Sequence, residues 1–468
     1  MENKKEIEIL IRSVIKEIRE NDAINFSSER TSNGDGIFKQ VDSAVQAAKR
    51  AQISYASCSL DTRKKLIEAI RLELRPFAED IAQKTVDETG MGRVEDKITK
   101  IILSLNKTPG TEDLVSETIT GANGMKLCEL TPYGVIGAVT PSTNPPSTVI
   151  NNAIGMLAAG NSVFFSVHPG AKKVSCWLVS KINEIARNVT GINNLIVTIE
   201  EPTIETAQEM MEHPDIAILV VTGGPGVVRQ ALKSGKKTIG AGAGNPPVLV
   251  DETADINKAG SDIVWGASFD NNILCTAEKS VVVVEAVAAQ LTDSMEAAGA
   301  YVVKNETDIK KLLDMTLTEK GPNKKYIGKD ASIILDDADL PYKGSPRLII
   351  MKTNKNHPFV IQEMLMPIVP VVTVDDFEEA METVYKIEQN LKHTATMHSQ
   401  NLTRINQLAK KMNTSLFVVN GPSFAGLGAF GEGPTTFTIA TPTGEGTTSA
   451  RHFARKRRMA ITSGFSLK

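Results

Sequence analysis

The sequence predicts an α/β protein in which helices cover parallel sheets. Short apolar runs, rich in Val, Ile and Phe, recur along the chain with little polar alternation, which is typical of parallel strands buried on both faces. Segments with helical spacing of apolar residues separate many of these runs. With 468 residues, 41% of them hydrophobic and 23% charged, the chain is long enough for two or three domains with a large core.

The first alternation of strands and helices follows a helical stretch near the N-terminus. An apolar stripe at Val41, Val45 and Ala48 indicates one helix, and helical spacing continues from Thr62 to about Thr89. The predicted strands are Val135–Val139, Ser162–Ser166, Leu195–Ile199 and Ile216–Val221, with helices near 146–158, 170–188 and 203–212. This pattern is typical of a doubly wound, Rossmann-like domain, the usual place of a dinucleotide.

A second α/β alternation occupies the C-terminal half of the chain. Its predicted strands are Val248–Val250, Ser280–Val284, Leu348–Met351, Ile368–Val374, Thr394–His398 and Leu416–Val419. Helical segments separate several of these strands, and no repeat of solenoid length is visible. We therefore expect two α/β units rather than a repeat array.

The N-terminus carries an amphipathic segment that looks separate from the main fold. Apolar residues recur at three- and four-residue spacing over residues 5–20, which predicts a short helix, and residues 21–36 are rich in Ser, Asn, Asp and Gly, as in a flexible linker. Two interpretations are open. The helix docks on the body or on a sister subunit, or it is a detachable segment that binds a partner in a groove.

Composition excludes several classes of protein. No apolar run reaches the roughly 20 residues that span a bilayer, and the first residues do not resemble a secretory signal. The net charge of −3, without a basic stripe, argues against a nucleic-acid partner. The four cysteines show no CxxC or CxxH spacing, which argues against a disulfide framework or a metal site. We therefore expect a cytoplasmic protein with no membrane, nucleic-acid or metal partner.

Two glycine-rich segments are candidates for contact with a cofactor. Thr222-Gly223-Gly224-Pro225-Gly226 joins a strand to a helix, where backbone N–H groups and the helix N-terminus can face a phosphate. The spacing is not GxGxxG, so a simple tight turn is the other interpretation. Gly240–Gly244 precedes a strand, and its small residues indicate close backbone packing or room for a bulky ligand.

Three polar residues are candidates for catalysis or binding, and each has a plainer interpretation. Cys275 lies in an Asn-rich connection, where reactive groups are often displayed, whereas a buried apolar cysteine is the common alternative, which we expect for the other three. Asn144 follows a strand in a Pro-rich turn, so its amide either serves the turn or faces a developing oxyanion. Glu363 interrupts an apolar run, either at a solvated edge or as a ligand for a ribose diol.

Taken together, these segments resemble the aldehyde dehydrogenase superfamily over essentially the whole chain. The similarity is strongest to the branch that acylates coenzyme A, in particular the propionaldehyde dehydrogenases of propanediol-utilisation microcompartments and their acetaldehyde relatives. The motifs that carry the resemblance are Glu88-Thr-Gly-Met-Gly92, Pro132-Tyr-Gly-Val-Ile-Gly137, Ser142-Thr-Asn-Pro145, His168-Pro-Gly-Ala-Lys-Lys173, Ser234-Gly-Lys-Lys-Thr-Ile-Gly-Ala-Gly-Ala-Gly-Asn-Pro-Pro247, Asp251-Glu-Thr-Ala-Asp255, Cys275-Thr-Ala-Glu-Lys279 and Thr441-Pro-Thr-Gly-Glu-Gly-Thr-Thr-Ser-Ala-Arg451.

The resemblance implies a subunit with a Rossmann-like coenzyme domain, an α/β catalytic domain and a β-arm that joins subunits. The expected divisions are a targeting helix at 1–20, a linker at 21–36, a coenzyme domain at 37–116 and 132–239, a catalytic domain at 240–436, and an arm at 117–131 and 437–468. In the microcompartment relatives an N-terminal extension of this kind is an encapsulation peptide. A shell protein is thus the implied partner of residues 1–20, inside a bacterial microcompartment, and a homo-oligomer, dimer or tetramer, is expected.

The resemblance also assigns roles to the candidate site residues. Cys275 would be the nucleophile and Asn144, with the backbone N–H of Cys275, the oxyanion donor; Glu363 would hold the nicotinamide ribose of NAD. The remaining cofactor-binding positions would be Thr140, Pro141, His168, Pro169, Gly170, Thr222, Gly223, Gly224 and Gly242. The implied reaction oxidises a short-chain aldehyde through a thiohemiacetal and a thioester. Propanal is the expected substrate, with acetaldehyde and butanal as alternatives.

Two departures from the hydrolytic branch are informative. Hydrolytic relatives have a glutamate in a Glu-Leu-Gly-Gly-Lys segment that activates water, but here the segment Gly240–Asn245 has no carboxylate, which favours transfer of the acyl group to coenzyme A. His168–Ala171 stands where those relatives often have Lys-Pro-Ala-Glu, so a ribose phosphate would not be repelled, and Lys172 or Lys173 is nearby. The choice between NAD and NADP stays open.

Three other classes of protein compete with this interpretation. A hydrolytic aldehyde dehydrogenase is disfavoured by the missing glutamate, and the motifs fit a phosphate-dependent semialdehyde reductase poorly. An inactive structural shell component is disfavoured because Cys275, Asn144 and Glu363 are all present.

Overall fold

The structure is a computed structural model that describes residues 35–467. The predicted helix at 5–20 and nearly all of the predicted linker lie outside the described residues. The longer helices span Val41–Ala56, Leu60–Leu74, Ala78–Thr89, Val94–Lys107, Pro145–Ala158, Lys172–Thr190, Ile204–Glu212, Pro225–Lys233, Ile256–Ser268, Glu285–Ala297, Glu306–Thr316, Ala331–Asp337, Phe377–Glu388 and Leu402–Met412. Within this part of the chain, no helix is both long and apolar enough to cross a membrane.

The first sheet has six parallel strands with helices on both faces. Its spatial order is Ile37–Phe38, Ile196–Ile199, Ser162–Ser166, Val135–Val139, Ile216–Thr222 and Thr238–Ala241. The strand Ser162–Ser166 is buried along its whole length, since apolar side chains pack on both faces of the sheet. The α/β prediction is confirmed, and the last strand crosses the domain boundary expected at residue 239/240.

The second sheet has seven strands, and it is also parallel throughout. Its order is Ala300–Val303, Leu348–Thr353, Ile368–Val374, Ser280–Val284, Pro247–Val250, Thr394–His398 and Leu416–Val419. Helices Ile256–Ser268 and Glu285–Ala297 pack on one face, and Phe377–Glu388 packs on the other. The central strand Ser280–Val284 is fully buried, so the segment that leads into it is held on a rigid element.

A three-stranded antiparallel sheet, the arm sheet, stands apart from the two parallel sheets. It comprises the hairpin Glu117–Gly121 and Gly124–Pro132, with Ala454–Thr462 paired along the second strand of the hairpin. The first strand is exposed at every residue, and most of Ala454–Thr462 is exposed as well. A nine-residue antiparallel register therefore ties the C-terminal segment to a hairpin more than 300 residues away in sequence.

The two parallel sheets meet end to end in a way that gathers the candidate residues. Thr140, His168 and Thr222 lie at the carboxyl ends of strands in the first sheet. Cys275 and Glu363 precede strands of the second sheet, and so lie towards its amino edge. The carboxyl edge of a parallel sheet is where open α/β folds bind ligands, and here the amino edge of the second sheet forms the opposite wall.

Candidate active site

A cavity of about 560 Å³ occupies this junction between the sheets. The predicted site residues that line it are Thr140, Pro141, Asn144, His168, Pro169, Thr222, Gly223, Gly224, Gly242, Cys275 and Glu363. Gly170 is the exception: it lies in the short helical turn Pro169–Ala171 and donates its N–H to His168 Nδ1 at 3.0 Å, without lining the cavity. The structure thus brings together residues from positions 140 to 363 in one space.

Cys275 is half-buried at the end of a buried loop. The sequence predicts a displayed connection, but the side chains of Asn271 and Asn272 point inward and bond backbone carbonyls, Asn272 Nδ2 to Ala267 O at 2.7 Å and Asn271 Nδ2 to Gly328 O at 2.9 Å. Asp270, Asn271 and Asn272 all have positive φ, from 48° to 66°. Asp and Asn tolerate this backbone better than other residues, so their abundance here serves the geometry of the loop.

The environment of the Cys275 thiol disfavours its charged form. Burial raises the pKa of Cys275 to about 11, and the carboxylate of Glu363 adds to the shift, while Lys279 opposes it. Lys279 is itself buried, and Nζ donates to Asn272 O at 2.6 Å and to Asn272 Oδ1 at 2.7 Å. The lysine therefore fixes the loop before Cys275 and places a positive charge near the thiol.

Asn144 occupies the N-cap position of the helix Pro145–Ala158, with 8% of the residue exposed. Its amide does not cap the helix. Instead Oδ1 accepts a hydrogen bond from Lys100 Nζ, and Nδ2 donates to Thr143 Oγ1 at 3.3 Å. An amide nitrogen has two N–H groups, so one remains available to the cavity that Asn144 shares with Cys275.

Glu363 lies inside the cavity wall rather than at a solvated edge, and 16% of its side chain is exposed. Burial raises its pKa to about 7, although Lys279, whose Nζ is 4.0 Å from Oε1, opposes the shift. It is the one carboxylate among the described residues that line the cavity. Its two oxygens are suited to accept hydrogen bonds from vicinal hydroxyls.

The turn Thr222–Gly224 forms another wall of the cavity and leads into the helix Pro225–Lys233. Gly224 is the N-cap and has no side chain to bond the first N–H groups of the helix. A Cβ on Gly223 would lie 2.8 Å from Val227 Cγ1, so the turn closes tightly. A helix N-terminus with unsatisfied N–H groups attracts phosphate oxygens, and the turn therefore fits the pyrophosphate of a dinucleotide.

The wall next to this turn comes from small residues at the end of strand Thr238–Ala241 and just after it, and the Gly223 N–H donates to Ala241 O at 3.4 Å. Ala241, Gly242 and Ala243 line the cavity, so no group in this segment can act as a general base. Gly244 is packed between two site groups, since a Cβ there would lie 2.9 Å from both Cys275 O and His393 Cγ. The segment Gly240–Gly244 therefore combines the two predicted features: its backbone packs closely, and its small side chains leave space in the cavity that holds the Cys275 thiol.

His168 lines the cavity together with Thr203 and Ile204, and burial lowers the pKa of the His168 imidazole. Lys172 forms an ion pair with Glu201, while the Glu88 carboxylate accepts the N–H groups of Lys173 and Val174 at the start of a helix. Lys172, which the sequence places near a ribose phosphate, is thus engaged by a carboxylate here.

Three residues of the site are absent from the candidates named from the sequence. His393 lines the cavity, and burial lowers its pKa to about 4, which keeps the ring neutral; Nδ1 is 2.9 Å from Thr394 Oγ1. Lys279 and Lys100 reach the site from a strand boundary and from a distant helix. A histidine before a strand and a lysine on a helix are common features, so only the folded chain identifies them.

The other cysteines lie outside this cavity. Cys128 is buried, as expected for a packing residue, whereas Cys58 and Cys176 are only half-buried. Within the described range, no group of three or more His, Cys, Asp or Glu side chains is arranged to hold a metal ion.

A buried thiol, an amide and a carboxylate around a cavity between two parallel sheets define a nucleotide-dependent enzyme with a cysteine at its centre. The pattern of the Aldehyde dehydrogenase family matches residues 35–431. The chain belongs to this family.

Among its relatives, the chain is similar to enzymes that act with coenzyme A. It is 52% identical to the propanal dehydrogenase (CoA-propanoylating) of Salmonella typhimurium, with all of both chains aligned. The solved propionaldehyde dehydrogenase of Rhodopseudomonas palustris, with bound CoA and an acylated cysteine, is 46% identical with a TM-score of 0.91, covering 93% of this chain and 100% of that one. A propionaldehyde dehydrogenase from the fucose utilisation bacterial microcompartment of Clostridium phytofermentans is 44% identical, also with a TM-score of 0.91, covering 92% of this chain and 100% of that one.

Proposed function

We propose that the protein is an aldehyde dehydrogenase that oxidises a short-chain aldehyde, propanal in the first place, and transfers the acyl group to coenzyme A. The observation that most supports this proposal is the composition of the cavity wall at 241–243. This wall, in the same cavity as the Cys275 thiol, consists of alanines and a glycine and has no second carboxylate. The relatives named above support propanal and coenzyme A as substrates. Acetaldehyde and butanal are the alternative substrates.

Catalysis begins at Cys275. Its thiolate, a small fraction at neutral pH because the pKa is about 11, adds to the aldehyde carbon. The carbonyl oxygen gains negative charge as the thiohemiacetal forms, and Asn144 Nδ2 together with the backbone N–H of Cys275 stabilises that charge. The neighbouring Lys279 favours the thiolate by its positive charge.

The cavity fits a nicotinamide dinucleotide, which when bound supplies the acceptor for the hydride of the adduct. Glu363 would hold a ribose diol, and the turn Thr222–Gly224 would border the pyrophosphate. The Gly223 N–H donates to Ala241 O, so the Gly224 N–H and the N-terminus of the helix Pro225–Lys233 would face the phosphates. His168 and Pro169 would border the adenosine. We infer NAD as the coenzyme; Lys172, which could otherwise pair with a ribose phosphate, is engaged by the Glu201 carboxylate.

Release of the acyl group depends on the absence of a general base from the cavity wall at 241–243. A thioester on Cys275 hydrolyses quickly only if a base activates water, and Ala241 and Ala243 cannot do this. The space beside them admits a thiol of coenzyme A, which attacks the thioester carbonyl and regenerates the Cys275 thiol. A hydrolytic aldehyde dehydrogenase is the weaker proposal for the same reason.

We also propose how the enzyme is placed in the cell. The arm sheet, with Ile119 and Met459 exposed on it, would join subunits into a dimer or tetramer. Residues 1–20 would bind a shell protein and place the enzyme in a bacterial microcompartment in the cytoplasm. The likeness to a microcompartment enzyme supports this placement, and confinement would limit the escape of a reactive aldehyde.

The role of the thiol is tested by Cys275→Ala. We expect this variant to form no NADH from propanal, as measured by absorbance. Its circular dichroism spectrum and Tm should stay unchanged, because the smaller side chain removes only the nucleophile. The matched control is Cys176→Ala, a half-buried cysteine outside the cavity, which should keep full activity. Substantial turnover in Cys275→Ala would overturn the assignment.

A further inference from the structure

A buried cluster of charges lies directly behind Asn144. We call Lys97, Lys100 and Asp270 the Lys–Asp cluster; their side chains are 3%, 3% and 0% exposed. Both lysines lie on the same face of the helix Val94–Lys107, and Asp270 opens the loop that ends at Cys275. Burying charged groups costs several kcal/mol each unless they are paired, so a cluster of this kind needs an explanation.

Asp270 anchors both lysines. Its Oδ2 accepts Lys97 Nζ at 3.1 Å and also accepts Lys100 Nζ, and its Oδ1 accepts the N–H of Arg93 at 2.8 Å. The fit is close, because a Cβ on Gly92 would overlap Asp270 Oδ1. The two ammonium groups are thus held by one carboxylate, yet their remaining partners differ.

Only Lys100 reaches the cavity wall. Its Nζ donates to Asn144 Oδ1, whereas Lys97, among the described residues, bonds neither Asn144 nor any other residue that lines the cavity. An ammonium group can only donate hydrogen bonds. The amide atom that faces Lys100 must therefore be the oxygen, which turns Nδ2 of Asn144 away from the cluster. One N–H of Nδ2 donates to Thr143 Oγ1, and the other is free to face the substrate.

We propose that Lys100 is a positioning residue that fixes and polarises the oxyanion-binding amide of Asn144. The charge on Lys100 strengthens donation from Nδ2, because a cation at the carbonyl oxygen withdraws electrons from the amide nitrogen. Asp270 holds Lys100 at the start of the loop that carries the nucleophile. The positions of the oxyanion donor and of Cys275 are therefore both tied to Asp270. This inference rests on the proposed oxyanion role of Asn144.

The test compares two lysines that share an anchor but differ in their contact with Asn144. In Lys100→Met we expect kcat to fall by about 10²–10³-fold, the usual effect of losing one oxyanion donor, while KM for propanal and for NAD stays unchanged. Lys97→Met removes a buried charge from the same cluster and should keep near-wild-type kcat. The Tm of both variants, compared with that of the wild-type protein, measures how far each substitution destabilises the fold.

A double variant separates positioning from general damage. If Lys100 acts through Asn144, then Lys100→Met in an Asn144→Ala background should lower kcat little further, because effects within one unit are not additive. Multiplicative losses, or equal losses of kcat in Lys97→Met and Lys100→Met, would overturn the proposal. If Lys100→Met does not fold, Lys100→Gln replaces it, and full kcat in that variant counts against a role for the charge.

The same measurements distinguish this inference from the proposed function. Full turnover in Asn144→Ala would contradict the oxyanion role itself and remove the basis of the inference. Normal wild-type activity and an impaired Asn144→Ala, together with an active Lys100→Met, would overturn only the role of Lys100.

Discussion

Cys275 and Glu363 share one cavity, and burial shifts the pKa of both groups in the direction that favours the neutral form. The Glu363 carboxylate also raises the pKa of the thiol. Lys279 opposes both shifts. The balance leaves Glu363 half-ionised near neutral pH, so its contribution to binding should depend on pH.

The affinity for NAD should therefore rise with pH. Below a pKa of about 7 Glu363 is protonated, and one of its oxygens carries a proton; above it, the carboxylate accepts from both ribose hydroxyls. We expect KM for NAD to fall as pH rises from about 6 to 8, because the raised pKa places the titration in this range. Glu363→Gln should remove this dependence. A pH profile of KM that is the same in both proteins would contradict the role of Glu363.

At the residue scale, sequence motifs predict which residues form the site better than they predict how buried those residues are and what they contact. Cys275, Asn144 and Glu363 are found together in the cavity, as expected from their motifs. The burial of the Cys275 loop is missed, because Asp and Asn are typical both of displayed loops and of positive φ. Lys100 is missed for another reason: its contact with Asn144 spans 44 residues, and no local spacing reveals such a pair.

At the scale of elements, the long apolar runs are predicted well and the short ones are not. The predicted strands of both sheets are present with ends shifted by two residues at most, because most of their side chains are apolar and buried. Ile37–Phe38, Thr238–Ala241 and Ala300–Val303 are missed. The first is only two residues long, and the second contains glycine, which normally argues against a strand.

The segment 241–243 determines whether the acyl group is transferred to water or to coenzyme A. A carboxylate placed there should therefore change the product. Ala241 ends that strand and lines the cavity. In Ala241→Glu we expect a higher ratio of propanoate to propanoyl-CoA, because a carboxylate near the thioester can activate water. Ala241→Gln has the same shape without a base and should keep the wild-type ratio. An unchanged ratio in Ala241→Glu would mean that another feature excludes water.

At the scale of the whole molecule, the site depends on how two sheets are placed against each other. The first sheet contributes its carboxyl edge and the second its amino edge, and neither edge alone holds the thiol, the amide and the carboxylate. Sequence periodicity defines strands but not the relative position of separate sheets. That arrangement could be predicted only through the family resemblance.

The N-terminal segment should be dispensable for catalysis but not for targeting. Gly36 is part of the fold, since its carbonyl accepts the N–H of Thr198 at 2.8 Å, so a shortened chain should begin at Asp35. We expect that chain to keep kcat and oligomeric mass while failing to co-purify with microcompartment shells. Residues 1–20 fused to a fluorescent protein should be carried into them. Loss of the fold or of the oligomer in the shortened chain would mean that the segment is structural.

The most direct measurement is the fate of propanal with NAD in the presence and absence of coenzyme A. With coenzyme A we expect steady NADH formation and an equal amount of propanoyl-CoA, identified by mass spectrometry. Without it, a burst of about one NADH per active site should be followed by very slow turnover, because the thioester on Cys275 has no efficient acceptor. Equal steady rates in both conditions, with propanoate as the product, would contradict acyl transfer to coenzyme A.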